Sequence, residues 1–220
     1  MMPILGGVAR LKFDSSVAAT FDGNSLVEGV GWGATNSSKT VSSQLALLAP
    51  ISSQFAITNL GIGGQTFRQM NGLDAGSSSD VDSAYVAGKK NILFVWEGCN
   101  TINKGRTPQQ AIADATDYIA ARKAVHPWIV VILNTLPFET SASLNADLLT
   151  YNALLAQNYK AMGAALLVDV RQPGSPFAFT DYVAGNYTST YWYDQIHLNN
   201  TGYGVIAQFI ATAIKRLPAR

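Results

Sequence analysis

Five mainly apolar runs of five or six residues recur along the chain: Val17 to Phe21, Phe55 to Leu60, Asn91 to Trp96, Trp128 to Leu133 and Ala165 to Val170. Short apolar runs bounded by turn residues read as strands, and one that is apolar nearly throughout suits a strand covered on both faces. Between them the spacing turns helical. Val41, Leu45 and Leu48 mark a helix over Thr40 to Ala49 that Pro50 stops, and Phe67 to Leu73 starts another. Pro108 opens a long helix with Ile112, Ala115 and Ile119 on one face, ended near Pro127. Leu144, Leu148, Tyr151, Leu155 and Tyr159 form a fourth stripe that Gly163 ends. A last helix, capped by Thr201 or a neighbour, carries Val205, Ile206, Phe209, Ile210 and Ile214.

Strands alternating with helices predict an α/β fold: a three-layer, doubly wound, five-stranded parallel sheet with right-handed crossovers and helices on both faces. No repeat interrupts the pattern. Residues 1–16 read as a lead-in segment and 17–220 as a single domain, a size that supports a sizeable core.

Composition narrows the class. Of the 220 residues 48% are hydrophobic and only 13% charged, and the net charge is +1. The charged fraction is about half the usual ~25%, with Ser, Thr, Asn and Gly in its place. Near-neutral charge argues against a nucleic-acid partner. An uncharged polar surface suits an extracellular or virion-associated protein. Met1 to Arg10 shows no signal-peptide pattern. The longest uncharged apolar run, Trp128 to Leu133, is too short to insert in a membrane. One cysteine, Cys99, rules out an internal disulfide framework. The sequons at Asn36, Asn186 and Asn199 read as chance matches, since a glycan on the last would lie two residues from His197.

Candidate chemistry lies where strands end. In open parallel sheets the carboxyl ends of the strands form the ligand-binding edge. Four polar or glycine elements fall there: Ser25 after the first strand, Gly64 in a glycine-dense loop after the second, Asn100 after the third, and Asp194-x-x-His197 before the last helix. An Asp-x-x-His segment either makes an ordinary polar turn or closes on itself. In the second case the carboxylate fixes one imidazole tautomer and leaves the other nitrogen free as a base. Ser25 would be the nucleophile, His197 the base and Asp194 the orienting group, with the backbone N–H of Ser25, the backbone N–H of Gly64 and the Asn100 amide as an oxyanion hole.

The remaining polar candidates read more plainly. His126, before Pro127, fits a helix-end role. Cys99 fits a small buried residue. The two histidines lie far apart and no Cys/His/Asp cluster accompanies them, so no metal and no cofactor is expected. Gly61-x-Gly63-Gly64 lacks the full dinucleotide fingerprint. An α/β-hydrolase elbow would need glycine where Val27 stands. Tyr191, Trp192 and Tyr193 are either a sugar-stacking platform beside His197 or loop packing.

In order and spacing these blocks resemble the GDSL/SGNH hydrolases, named for a Ser, a Gly, an Asn and a His in four separated blocks. Gly23-Asn24-Ser25-Leu26 is similar to the first, Asn59 to Thr66 to the second, Gly98-Cys99-Asn100-Thr101 to the third, and Asp194 to His197 with Gly202 to the last. The resemblance implies a flavodoxin-like fold and a serine esterase working through an acyl-enzyme. Two positions depart from it. Asn24 stands where the first block usually has Asp, and Thr101 where the third has a second acid. Both remove negative charge near the site and mark a divergent branch. The polar surface, the aromatic loop and the family's habits together point to short acyl groups, above all acetyl, on a small-molecule or polysaccharide ester. Lipid ester or thioester hydrolysis is the alternative within the enzyme class. A non-catalytic carbohydrate-binding or virion module on the same fold is the alternative outside it.

Overall fold

The structure is a computed structural model and describes residues 15–31, 34–35, 40–48, 55–76, 78, 80–137, 141–171, 175–177 and 190–218. The lead-in residues 1–14, Pro50, the sequons at Asn36 and Asn186, and most of the polar loop before Tyr191 lie outside them.

All five predicted strands form, as β1 (Val17–Gly23), β4 (Phe55–Asn59), β5 (Lys90–Trp96), β6 (Ile129–Leu133) and β7 (Leu166–Val168). They make one sheet of order β4-β1-β5-β6-β7, and every pair is parallel. In chain order of the five this is 2-1-3-4-5, the flavodoxin-like winding, whose order reverses beside β1. Two residues each of β2 (Val30–Gly31) and β3 (Ala34–Thr35) pair separately as an antiparallel ribbon.

Alternation along β5 shows how the sheet is covered. Ile92, Phe94 and Trp96 belong to a core shared with α2 (Val41–Ala46) and α7 (Asn200–Ile214), through Val41, Leu45, Ile206 and Ile210. Leu93 and Val95 point the other way, into a core with α3 (Phe67–Met70), α4 (Cys99–Asn103), α5 (Pro108–Val125) and α6 (Ala142–Asn158). Every residue of β5 from Asn91 to Trp96 is 2% exposed or less, so the apolar run reflects burial on both faces.

Helix ends follow local chemistry. Thr107 and Gln110 form a reciprocal capping box ahead of Pro108. The cap of α7 is Asn199, whose side chain accepts from the Gly202 N–H; it also donates to the carbonyls of Thr190 and Trp192. That side chain is therefore committed to the fold. The helix over Phe67 to Leu73 proves to be one turn, Phe67–Met70, capped by Asn71 and followed by Gly72 at φ 69°. β7 is shorter than the run Ala165 to Val170, because Asp169 turns its carboxylate to Asn134 Nδ2 and the Arg171 N–H.

Candidate active site

Ser25 follows β1 at the first position of α1 (Ser25–Glu28), a single turn capped by the Asn24 side chain on the Leu26 N–H. The cap fixes the direction in which Ser25 leaves the sheet edge. Across the chain, Trp192 and Leu198 form an antiparallel bridge. Tyr193 N–H donates to the His197 carbonyl and Asn199 N–H to that of Tyr191, closing 191–199 into a tight loop. Within it Asp194 Oδ1 accepts the backbone N–H groups of Ile196 and His197 at 2.7 and 2.6 Å, and Oδ2 meets His197 Nδ1 at 2.8 Å. The other ring nitrogen, Nε2, stands 3.0 Å from Ser25 Oγ, 172 positions away in sequence.

Asp194 Oδ2, the imidazole and Ser25 Oγ thus form one continuous hydrogen-bonded line. Partial burial works to raise the Asp194 carboxyl, but the bonds from the His197 ring and from the two backbone N–H groups outweigh it, and its pKa lies below the ordinary carboxylate value. An ionised carboxylate at Nδ1 keeps the proton there and the Nε2 lone pair directed at the hydroxyl. This arrangement can draw a proton from Ser25 Oγ as the oxygen attacks a carbonyl.

The glycine loop closes the opposite side. Asn59 Nδ2 donates to the Val27 carbonyl at 2.7 Å and its Oδ1 accepts the Gly61 N–H, locking the end of β4 to the Ser25 turn. The approach is close enough that a Cβ on Gly61 would lie 2.3 Å from Glu28 N, so only glycine passes. A Cβ on Gly63 would stand 3.9 Å from that of Ser25, placing the loop beside the hydroxyl. Gly64 then turns through φ 73°. Its carbonyl accepts from Lys104 Nζ at 2.6 Å, and the Gln65 carbonyl from Asn100 Nδ2 at 3.2 Å. Ser25, Gly64 and Asn100 therefore share the edge that the strand ends define. Asn100 keeps a second amide hydrogen beyond the one given to Gln65.

The three aromatic residues do not form one platform. Trp192 is 4% exposed and packs edge-on against Phe177 with ring centroids 5.9 Å apart. Its bridge to buried Leu198 turns the indole inward, and it cannot offer a face to a sugar. Tyr191 is partly buried on the same core. Tyr193 alone of the three is exposed, at 38%. His126 caps α5 and stacks on Tyr85 at 4.2 Å. Burial pushes the Cys99 thiol well up. Among the described residues no group of three or more His, Cys, Asp or Glu is placed to hold a metal.

One residue went unassigned in sequence. Glu97 is 1% exposed and accepts from Asn24 Nδ2, Thr101 N and Thr101 Oγ1 at 2.5, 2.7 and 2.8 Å. The departures at positions 24 and 101 thus do not strip the site of carboxyl groups; Glu97 returns one between them. A glutamate four residues before the missing acid at position 101 was the available clue.

A serine, an imidazole and a carboxylate aligned at the carboxyl edge of a flavodoxin-like sheet define a hydrolase site. The sequence matches the GDSL-like Lipase/Acylhydrolase family over residues 21–205, and the chain belongs to that family. The fold is shared with Axe2, an acetylxylan esterase from Geobacillus stearothermophilus, at a TM-score of 0.66 and 15% identity over 96% of this chain and 100% of that one. A member of the lipolytic protein G-D-S-L family from Veillonella parvula DSM 2008 superposes at 0.61, with 16% identity over 91% of this chain and 100% of that one. No curated protein matches the sequence.

Proposed function

We propose that the protein is a serine esterase that removes short acyl groups, acetyl above all, from carbohydrate esters. The line from Asp194 through His197 to Ser25 Oγ carries this reading. His197 Nε2 accepts the Ser25 proton as Oγ adds to the ester carbonyl. The tetrahedral oxyanion is held by the N–H groups of Ser25 and Gly64 and by the Asn100 amide. The alcohol leaves with the proton from Nε2. Water, activated by the same imidazole, then releases the acid and frees Ser25.

Two of the Axe2 structures that share this fold are of catalytic mutants, one altered at a histidine and one at a serine. That agrees with the roles given to His197 and Ser25. For the substrate, the acetylxylan esterase activity of Axe2 supports a carbohydrate ester. A cavity of about 510 Å³ begins one turn beyond Ser25, at Glu28, with both polar (Thr40, Ser43) and apolar (Ala46, Ile57) residues in its lining, and is the space open to the rest of the substrate.

Acetate release from a panel of acetylated polysaccharides, with Ser25→Ala as the blank, tests the substrate class. A chain-length series of p-nitrophenyl esters should favour acetate, and a preference for octanoate would rule out the short-acyl version. Labelling by a fluorophosphonate, expected for wild type, separates an enzyme from a binding module on the same fold. Asn100→Ala should lower kcat by about 100-fold or more, the usual cost of one oxyanion donor, while KM changes little; an unchanged kcat would remove Asn100 from the oxyanion hole.

A further inference from the structure

Beneath Ser25 lies a buried polar cluster that proton transfer does not use. We infer that Glu97 is the positioning residue of this site: one carboxylate that ties the nucleophile turn to the oxyanion loop, with Asn24 and Thr101 as its matched donors. The inference deepens the esterase reading and rests on it.

The hydrogen bonds run in one direction. Glu97 Oε2 accepts from Asn24 Nδ2 at 2.5 Å. Asn24 Oδ1 is occupied as the cap of the Leu26 N–H at 2.9 Å, so the amide cannot flip without uncapping α1. Glu97 Oε1 accepts from both the backbone and the hydroxyl of Thr101. Having given its proton to Glu97, the hydroxyl oxygen of Thr101 accepts the Phe67 N–H at 3.0 Å. Phe67 opens α3, three residues after Gly64. The same α4 turn sends Asn100 Nδ2 to the Gln65 carbonyl and is followed by Lys104 on the Gly64 carbonyl. A path of hydrogen bonds therefore joins the Ser25 turn through Glu97 to the loop bearing Gly64.

Every side-chain partner presented to the carboxylate is a donor: an amide N–H₂ and a hydroxyl, with the Cys99 thiol 3.9 Å away. An acid at position 24 would set two carboxylates at 2.5 Å, and an acid at 101 would remove the hydroxyl bridge to Phe67. The two departures from the family pattern are thus what a carboxylate at 97 requires. The side chains of Asn24, Glu97 and Thr101 are each 1% exposed, so water does not substitute for a lost partner.

Reversing the polarity of the pair tests this. In Glu97→Gln, the introduced amide nitrogen faces Asn24 Nδ2, donor against donor, while the introduced amide oxygen keeps Thr101. In Asn24→Asp/Glu97→Gln, the introduced carboxylate caps Leu26 with one oxygen and accepts from the introduced amide nitrogen with the other. Steady-state kinetics on p-nitrophenyl acetate should show kcat about tenfold or more lower in Glu97→Gln, with KM within about twofold. Asn24→Asp alone should lose more than Glu97→Gln. The double variant should recover to within about threefold of wild type, a coupling that independent sites do not show.

A residue that only filled space would give additive losses and no recovery. Wild-type kcat in Glu97→Gln, or a double variant no faster than the slower single one, overturns the inference. If Glu97→Gln fails to fold, the double variant decides: folded and active supports the pairing, unfolded or inactive overturns it. These outcomes presuppose an active wild type. A wild type that neither turns over p-nitrophenyl acetate nor takes a fluorophosphonate overturns the esterase reading instead.

Discussion

Ser25→Ala is expected to lower kcat on p-nitrophenyl acetate by about 10⁶-fold, the cost typical of removing a serine nucleophile. The substitution deletes the one atom placed to attack the ester carbonyl, the Oγ that lies 3.0 Å from His197 Nε2. Little else depends on it. The turn is capped by Asn24 and its C-cap N–H, from Gly29, uses the Ser25 backbone carbonyl, neither of which the variant touches. Thermal unfolding should therefore stay close to wild type, which separates loss of chemistry from loss of fold. Binding of an uncleaved substrate analogue should persist, since the oxyanion donors at Gly64 and Asn100 remain. Fluorophosphonate labelling, read by mass, should disappear. Turnover at wild-type rate in Ser25→Ala would exclude a Ser25 acyl-enzyme outright.

What could be read in the sequence follows from how local each signal is. The strands were legible because a doubly covered parallel sheet demands uninterrupted apolar side chains, and Ile92 to Trp96 supply them. Long helices were legible because Pro108, Pro127 and the stripe of Ile112, Ala115 and Ile119 act within one segment. The short turns α1 and α4 left no trace, since four or five residues cannot display a 3.6-residue period. Those two turns carry Ser25 and Asn100. The two-residue strands β2 and β3 were hidden for the same reason. Element ends shifted where a side chain intervened, as Asp169 does at β7 and Asn199 does ahead of α7.

The site residues were legible as types at strand ends, and the burial of the side chains around them was not. Trp192 shows the limit: a ring on a polar segment can face water or core, and only its bridge to Leu198, whose side chain is fully buried, decides. Glu97 shows the same limit for a charged group. Nothing beside Glu97 in the sequence names its partner Asn24, which lies 73 positions away. Burial, its largest influence, raises the Glu97 pKa, against the hydrogen bonds from Asn24 and Thr101 that favour the charged form. Such a balance depends on two distant segments meeting, and no window of sequence contains both. Position 24 and position 101 looked like losses when considered singly; with Glu97 between them they are one exchange of acid for donor.

Asp194→Asn is expected to lower kcat by about 10⁴-fold, because the fold dictates which way the new amide points. The Oδ1 site accepts two backbone N–H groups, from Ile196 and His197, and only the amide oxygen can take their place. The Nδ2 group is then forced against His197 Nδ1, where the carboxylate oxygen stood at 2.8 Å. An N–H donor there selects the imidazole tautomer whose proton is on Nε2, the nitrogen that must be empty to receive the Ser25 proton. KM should hold, because no oxyanion or cavity residue moves. Stability supplies an independent check with a definite sign. The folded Asp194 carboxyl lies below its ordinary value, so its ionised form stabilises the fold at neutral pH, and that contribution disappears as pH falls through the folded pKa. Part exposure screens the effect to a small one. The Tm difference between wild type and Asp194→Asn should accordingly be small at about pH 7 and vanish in acid below the ordinary carboxylate range, while the loss of kcat at neutral pH remains large. A variant that instead kept kcat within about tenfold of wild type would mean that the imidazole holds its tautomer without Asp194, and the three-residue line would reduce to a Ser25–His197 pair.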